Sequence, residues 1–224
     1  MRARLSVIVP TLNGASALPA LLGDLIEGLE SGLIRELIIS DGGSTDATLQ
    51  IADDVGALLC EGPPSRGGQL RRGAGIAQGD WLLFLHVDTR LPPGWTGSVT
   101  AQMEDGRPGY FRLAFDACGM APRIVAGWAN LRSRMLNLPY GDQGLLIART
   151  EYDAAGGFDD IPLMEDVAIA QLLGRRLCMM PHALRTGAVR YAEGGWARRG
   201  ARNLWLLARY LAGADPEDLH RRYR

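Results

Sequence analysis

The chain has 224 residues, 47% apolar and 22% charged, a composition typical of an ordinary globular protein. Its formal net charge of -1 argues against a polyanion-binding protein, so we expect no nucleic-acid partner. All 24 basic residues are arginines, and the absence of lysine excludes Schiff-base chemistry and a P-loop lysine. The three cysteines are far apart, without a C-x-x-C pair, which favours a reducing compartment over a disulfide framework or a zinc site.

The apolar runs are all shorter than the ~20 residues of a membrane helix, and the run before Pro10 is too short for a signal peptide. We therefore expect a cytoplasmic protein without a transmembrane segment, and no particular oligomeric state is predicted. The charge is unevenly distributed, because residues 1–174 have a balance of -8 and residues 175–224 a balance of +7.

Strand-like and helix-like segments alternate through the first 90 residues. Strands are predicted near residues 5–9, 33–39, 57–60 and 81–85. Helices are predicted over about 18–29, 47–52 and 70–77, the first two capped by Ser16 and Ser44. This alternation is typical of a largely parallel sheet with right-handed crossovers.

The second half of the chain is less regular. It predicts strands near residues 110–114, 143–148 and 177–180, helices over 124–136, 166–173 and 203–211, and a charged tail over 216–224. In the helix over 124–136, Trp128, Leu131 and Met135 share one face. There is no internal repeat and no linker that would divide the chain. The predicted fold class is a single α/β domain with a mostly parallel central sheet flanked by helices.

The strand over 81–85 is the strongest indication of where a ligand binds. It is an unbroken apolar run and therefore reads as a strand buried on both faces, which ends at His86-Val87-Asp88. Ligands of open α/β sheets lie beyond the carboxyl ends of the strands, and His86 and Asp88 point to the same side. Their side chains suit a divalent cation or a ribose; the alternative is a strand end that simply turns polar at the surface.

Three further segments carry candidate chemistry. Residues 41–46 place glycines at a strand end that opens a helix, where backbone N–H groups can approach an anionic ligand. Arg66 can offer a planar donor to a diphosphate, and Glu165 and Asp166 are adjacent carboxylates suited to a general base. The alternatives are a capped strand-to-helix turn for residues 41–46 and helix capping by Asp166.

Together these segments resemble the family 2 glycosyltransferases, which have the GT-A fold. The resemblance rests on residues 7–13, 41–46, 86–88 and 165–166, which follow the family's order along the chain. A narrower resemblance, to a small subfamily labelled arsenosugar-biosynthesis glycosyltransferases, rests on residues 66–69, 84–89, 142–144, 156–158 and 162–166. The sequence departs from the family pattern at Gly14, where Glu is common, and at His86, which replaces the first Asp of the metal motif.

The resemblance implies a role for each candidate residue. By this resemblance Asp166 would be the catalytic base, and Glu165 would orient that base or the acceptor. Asp88 holds the cofactor, Mn²⁺ or Mg²⁺. The nucleotide-sugar donor is contacted by Pro10, Thr11, Asn13, Asp41, Gly43, Arg66, Gln69, His86 and Arg190.

The implied activity is that of an inverting, metal-dependent glycosyltransferase with a UDP-linked donor and an unidentified small or lipid-linked acceptor. Residues 1–90 would form the nucleotide-sugar-binding half, residues 91–200 the acceptor and catalytic half, and residues 201–224 a C-terminal helix and tail. One alternative is a sugar-nucleotide nucleotidyltransferase, although its usual Gly-rich signature and lysine are missing. Another is a non-catalytic nucleotide-sugar-binding homologue.

The predicted helix over 203–211 has an apolar stripe beside two arginines. The stripe is Leu204, Trp205, Leu207, Ala208 and Leu211, and the arginines are Arg202 and Arg209. We favour packing of this stripe on the sheet, because most amphipathic helices of globular domains face a core. The alternative is a weak peripheral contact with an anionic membrane surface.

Overall fold

Seven strands form one sheet in the computed structural model, which describes residues 3–188, 191 and 194–223. The strands are β1 (Leu5–Thr11), β2 (Ile34–Asp41), β3 (Leu58–Glu61), β4 (Trp81–Phe84), β5 (Gly109–Phe115), β6 (Leu145–Ala148) and β7 (Cys178–Thr186). Their order across the sheet is β3-β2-β1-β4-β6-β5-β7. Strand β6 runs antiparallel to β4 and β5, and the other neighbouring pairs are parallel. The predicted fold class is confirmed.

Helices cover both faces of the sheet. They are α1 (Leu18–Glu30), α2 (Thr48–Asp54), α3 (Arg66–Ile76), α4 (Trp95–Asp105), α5 (Met120–Leu136), α6 (Arg149–Ala154), α7 (Glu165–Leu173), α8 (Trp196–Leu211) and α9 (Pro216–Tyr223), with 3-10 turns at Gly141–Gln143 and Gly174–Arg176. In the part of the chain that the structure describes, none of the helices has the length and apolar content to cross a bilayer.

The core lies in two layers because strand side chains alternate between the two faces. On one face Val7 and Leu83 pack against Leu21 of α1 and Trp95 of α4. On the other face the core includes Ile8, Leu82 and Phe84 of the strands, Leu70 and Ala74 of α3, and Val167 and Ile169 of α7. The central strands β1 and β4 are therefore buried on both sides, as the unbroken apolar run of β4 predicts.

Both predicted serine caps are wrong. Helix α1 begins after Ala17 and has no side-chain cap, and α2 begins after Ala47 because the Ser44 hydroxyl instead donates to Asp41. Helix α3 starts four residues earlier than predicted, at Arg66, because Ser65 caps it by accepting from the Gly68 N–H. Residues 66–69 are therefore the first turn of a helix.

The C-terminal predictions are also corrected in part. Strand β7 extends to Thr186, and most of the expected charged tail is the helix α9. In α8 the buried residues are Leu206 and Leu207, whereas Trp205 is 45% exposed. The expected core stripe is therefore correct for Leu207 and wrong for Leu204, Trp205, Ala208 and Leu211, which are exposed. The division of the chain at residues 90 and 200 stays a prediction.

Candidate active site at the carboxyl edge of the sheet

The carboxylate of Asp41 organises the ends of β1 and β2. It is fully buried and accepts hydrogen bonds from the Thr11 hydroxyl at 2.8 Å, the Gly43 N–H at 2.7 Å, and the Ser44 N–H and hydroxyl at 2.6 and 2.5 Å. Burial opposes ionisation, but these hydrogen bonds outweigh it and lower the pKa of Asp41 below its ordinary value. Asp41 therefore shapes the loop as an ionised, internally paired group.

The side chain of Gln69 forms hydrogen bonds with the ends of the same two strands. Its Nε2 donates to the carbonyl oxygens of Thr11 at 2.7 Å and Ser40 at 2.9 Å. Pro10 lies opposite Ser40 in the β1–β2 register. Gln69 thus satisfies backbone acceptors at the carboxyl edge, and its predicted contact with a donor stays a prediction.

A second set of hydrogen bonds ties the loop after β1 to the loop after β2. Asn13 has a left-handed φ of 52°, and its Oδ1 accepts from the Thr45 N–H at 2.9 Å. The Asn13 N–H donates to the Ser44 hydroxyl at 2.7 Å, and the Gly14 N–H donates to Thr48 Oγ1 at 2.9 Å. The two loops therefore form one unit at the edge of the sheet.

Arg66 connects this region to the loop before α7. Its Nε lies 3.7 Å from Glu165 Oε1. The contact is possible because Gly67 and Gly68 let the start of α3 approach residues 159–161: a Cβ at Gly67 would overlap the Asp159 carbonyl oxygen. The Gly67 N–H donates to the Ile161 carbonyl at 3.1 Å, and the Ser65 hydroxyl donates to Asp160 at 2.6 Å. We call this contact between α3 and residues 159–161 the glycine clasp.

Glu165 is a buried carboxyl group, and neither of its oxygens has a hydrogen-bond partner among the described residues. Burial, followed by the nearby charge of Asp166, raises its pKa from 4.5 to about 8, and Arg66 partly offsets this rise. Met164, which precedes it, is a non-glycine residue with a left-handed φ of 70°. Strained backbone of this kind is concentrated at functional sites, so it supports a functional role for this segment.

Asp166 is held in a fixed orientation by backbone donors. Its Oδ2 accepts from the Gly141 N–H at 2.6 Å, and its Oδ1 accepts from the Val167 N–H at 2.7 Å. His86 lies beside it, since a Cβ on Gly141 would be 2.6 Å from His86 Nε2 and 3.6 Å from Asp166 Oδ2. The structure therefore brings His86 and Asp166 together around Gly141.

Asp142 is a site residue that the role assignments from sequence missed. Burial raises its pKa to about 6; the charge of Arg132 opposes the rise, and the charges of Asp166 and Asp88 add to it. One of its carboxyl oxygens is buried and has no hydrogen-bond partner in the part of the chain that the structure describes. Arg132 also stacks on Tyr140, with its Cζ 3.4 Å from the ring centroid. The segment 142–144 belongs to the narrower family resemblance, which is the signal that could have identified Asp142.

Asp88 is exposed at the end of β4, and Thr186 Oγ1 lies 3.5 Å from its Oδ2. Among the residues described, no group of three His, Cys, Asp or Glu side chains is arranged to hold a metal ion. A single carboxylate still fits Mg²⁺, which is usually held by one or two carboxylates together with substrate phosphates and water. Asp88 is thus suited to supply one ligand, with the rest coming from a bound diphosphate.

A small cavity lies between these carboxyl groups and the core. Its volume is about 30 Å³, enough for a single ordered water. His86, Glu165 and Asp166 line it together with apolar residues of α3, β4 and α7. The remaining predicted contact, Arg190, lies outside the described residues.

The comparisons with known proteins agree with this architecture. The family model for Glycosyl transferase family 2 matches residues 6–148. A PGL/p-HBAD biosynthesis glycosyltransferase of Mycobacterium tuberculosis (strain ATCC 25618 / H37Rv) is 43% identical over 93 residues, which cover 38% of this chain and 36% of that protein. The match thus spans about a third of the curated relative's length. Since this relative has a different description, the arsenosugar subfamily stays a prediction.

Two solved structures share the fold. The mannosyltransferase PcManGT from Pyrobaculum calidifontis, in complex with GDP-Man and Mn²⁺, has a TM-score of 0.70 at 19% identity, with 98% of this chain and 69% of that chain covered. TarS 1-349 of S. aureus, in complex with UDP, has a TM-score of 0.62 at 17% identity, with 82% and 60% covered. Both likenesses concern the fold, which is GT-A.

Proposed function

The chain belongs to glycosyl transferase family 2, and from this premise we propose that it transfers a sugar from a nucleoside-diphosphate sugar to an acceptor hydroxyl with inversion at the anomeric carbon. The sequence resemblance favours a UDP-linked donor and a small or lipid-linked acceptor. The related complexes support a nucleotide-linked donor in general, because TarS contains UDP and PcManGT contains GDP-Man.

The observation that carries this proposal is the pair of carboxyl groups at the start of α7. Glu165 has a pKa of about 8 and is therefore protonated at neutral pH. Asp166 differs from it in accepting hydrogen bonds from two backbone N–H groups, which fix its orientation. Two adjacent carboxyl groups in such different environments are suited to separate roles, which here are orientation by Glu165 and proton acceptance by Asp166.

In the proposed reaction the donor lies across the carboxyl ends of β1, β2 and β4. The loop around Thr11, Asn13 and Asp41 contacts the nucleoside, and Arg66 stabilises the charge of the diphosphate. The acceptor oxygen forms a bond to the anomeric carbon while the bond from that carbon to the diphosphate oxygen breaks. Asp166 takes the acceptor proton, and the nucleoside diphosphate leaves.

The proposed cofactor is Mn²⁺ or Mg²⁺, held through Asp88. When bound, such an ion neutralises charge on the leaving diphosphate. The chain's own contribution is the carboxylate of Asp88 and the neighbouring imidazole of His86, both at the end of β4, with Arg190 proposed as a further cation toward the diphosphate.

The test is a panel of UDP- and GDP-linked sugars, with thermal shift reporting binding and nucleoside diphosphate release reporting turnover. We expect at least one donor to bind and to be cleaved. Asp166→Asn should keep donor binding and lose cleavage, because a base acts only in the chemical step. Asp153→Asn, which changes an exposed carboxylate of α6, is the matched control.

Three results would contradict the proposal. Pyrophosphate release from a nucleoside triphosphate would assign a nucleotidyltransferase. Binding without cleavage by the parent protein would assign a non-catalytic homologue. Near-parental cleavage by Asp166→Asn would move the role of the base to another group.

A further inference from the structure

Helix α5 presents its largest apolar side chains to solvent and packs its small ones against the protein. The exposed residues, which we call the α5 stripe, are between 47% and 77% exposed: Met120, Ile124, Trp128, Leu131 and Met135. The buried residues of the helix include Ala126, Ala129 and Ser133, which lie toward β5. This pattern is the reverse of the usual core-facing amphipathic helix.

The spacing makes the stripe continuous. Its members are three or four residues apart, so at 3.6 residues per turn they line one side of the helix over more than four turns. The predicted shared face of Trp128, Leu131 and Met135 is therefore confirmed, but it faces outward. Contiguous exposed apolar surface of this kind marks an interaction site, whereas isolated exposed residues do not.

The charged side chains of α5 and α8 are all positive. Helix α5 carries three arginines and no carboxylate, namely Arg123, Arg132 and Arg134. Helix α8, which packs against α5, carries four arginines and no carboxylate, namely Arg198, Arg199, Arg202 and Arg209. Helix α8 also exposes Leu204, Trp205 and Leu211. The two helices thus combine exposed apolar groups with a strong excess of positive charge.

We propose that α5 and α8 bind the surface of an anionic lipid bilayer, with the α5 stripe inserted among the lipids and the arginines against the headgroups. Apolar side chains flanked by arginine are the composition of helices that lie in a membrane interface. A second copy of this chain fits less well, since pairing two such faces would bring their arginines together. The proposal goes beyond sugar transfer, because lipid binding requires no reaction.

The position of α5 connects the proposed surface to the carboxyl-edge site. Arg132, on the buried side of the helix, stacks on Tyr140, which directly precedes Gly141 and Asp142. Docking through α5 therefore places the acceptor side of the site beside the bilayer. A lipid-linked acceptor would reach the carboxylates from this direction.

The test is co-sedimentation with vesicles of phosphatidylcholine alone and of phosphatidylcholine and phosphatidylglycerol in equal parts, at low and high salt. The informative variant is Ile124→Ser/Leu131→Ser. Its matched control is Ile26→Ser/Leu29→Ser, which changes the same residue types at exposed positions of a different helix, α1. Circular dichroism and thermal melting serve to check that both variants are folded.

We expect the parent to bind the anionic vesicles at low salt, to bind less at high salt, and to bind phosphatidylcholine weakly. The stripe variant should lose about tenfold or more in partitioning, and the α1 variant should behave like the parent. If the stripe variant does not fold, Arg123→Gln/Arg134→Gln replaces it, with the same expected direction.

The proposal is overturned if the parent does not bind anionic vesicles, or if the α1 variant loses as much binding as the stripe variant. It is also overturned if light scattering shows a lipid-free dimer that Ile124→Ser/Leu131→Ser dissociates, because the stripe would then be a self-interface. None of these results bears on donor cleavage, so the two proposals fail independently.

Discussion

Replacement of Glu165 by glutamine should remove a large pH dependence from the stability of the protein. The pKa of Glu165 in the folded state is about 8, above its ordinary value of 4.5. Between these pH values the folded protein holds a proton that the unfolded chain releases, so the free energy of unfolding falls as the pH rises. The loss amounts to about 4 kcal/mol between pH 5 and pH 9.

The assay is chemical denaturation of the parent and of Glu165→Gln at intervals from pH 5 to pH 9. Because glutamine stays neutral, the variant should gain about 4 kcal/mol relative to the parent across this range. Glu30→Gln, at an exposed position that ends α1, controls for the loss of a surface carboxylate. It should follow the parent's pH dependence.

The reasoning is refuted if the difference between Glu165→Gln and the parent changes by less than about 1 kcal/mol over the range. Such a result would mean that Glu165 is ionised at neutral pH in the folded protein. The assignment of roles within the pair would then lose its basis.

Three further predictions concern metal, core and backbone. Asp88→Ala should abolish the effect of Mn²⁺ on UDP affinity in titration calorimetry, and equal affinities for parent and variant with Mn²⁺ present would remove Asp88 from the site. Leu207→Ala should destabilise the fold by about 2–5 kcal/mol, whereas Trp205→Ala, at a half-exposed position, should cost clearly less in the same denaturation assay. Gly67→Ala should lower the free energy of unfolding by at least about 1–3 kcal/mol and increase the rate of amide hydrogen exchange in residues 159–161. Gly75→Ala, where the added methyl group meets open space, should do neither.

The first half of the fold follows from local sequence because its buried strands coincide with runs of apolar residues along the chain. Strand β4 is apolar on both faces and β1 nearly so, which made their position in the sheet predictable; the site at their carboxyl ends stays a prediction. The role of Ser44 was not predictable, because the Asp41 carboxylate competes for its hydroxyl. Capping rules treat the serine as free to cap the following helix and do not count a buried carboxylate three residues before it.

The less predictable features depend on contacts between distant segments. The raised pKa of Asp142 arises from burial and from the charges of Asp166 and Asp88, against the opposing charge of Arg132, and no spacing rule joins these residues. Periodicity identified the apolar face of α5, but it cannot tell whether a neighbour covers that face. For α8 the same limit led to an error, since Trp205 and Leu207 lie on one predicted stripe and only Leu207 is buried.

The glycine clasp also constrains how this scaffold can be engineered. Gly67 and Asp159 lie on opposite sides of the boundary at residue 90, where a designer would naturally join halves from two different relatives. In a chimera made there, one parent supplies the glycine at position 67 and the other supplies residues 159–161. The packing is kept only if both parents have the same close contact between these two segments. The safer crossover lies outside residues 66–166, so that the start of α3 and the start of α7 are inherited from one parent.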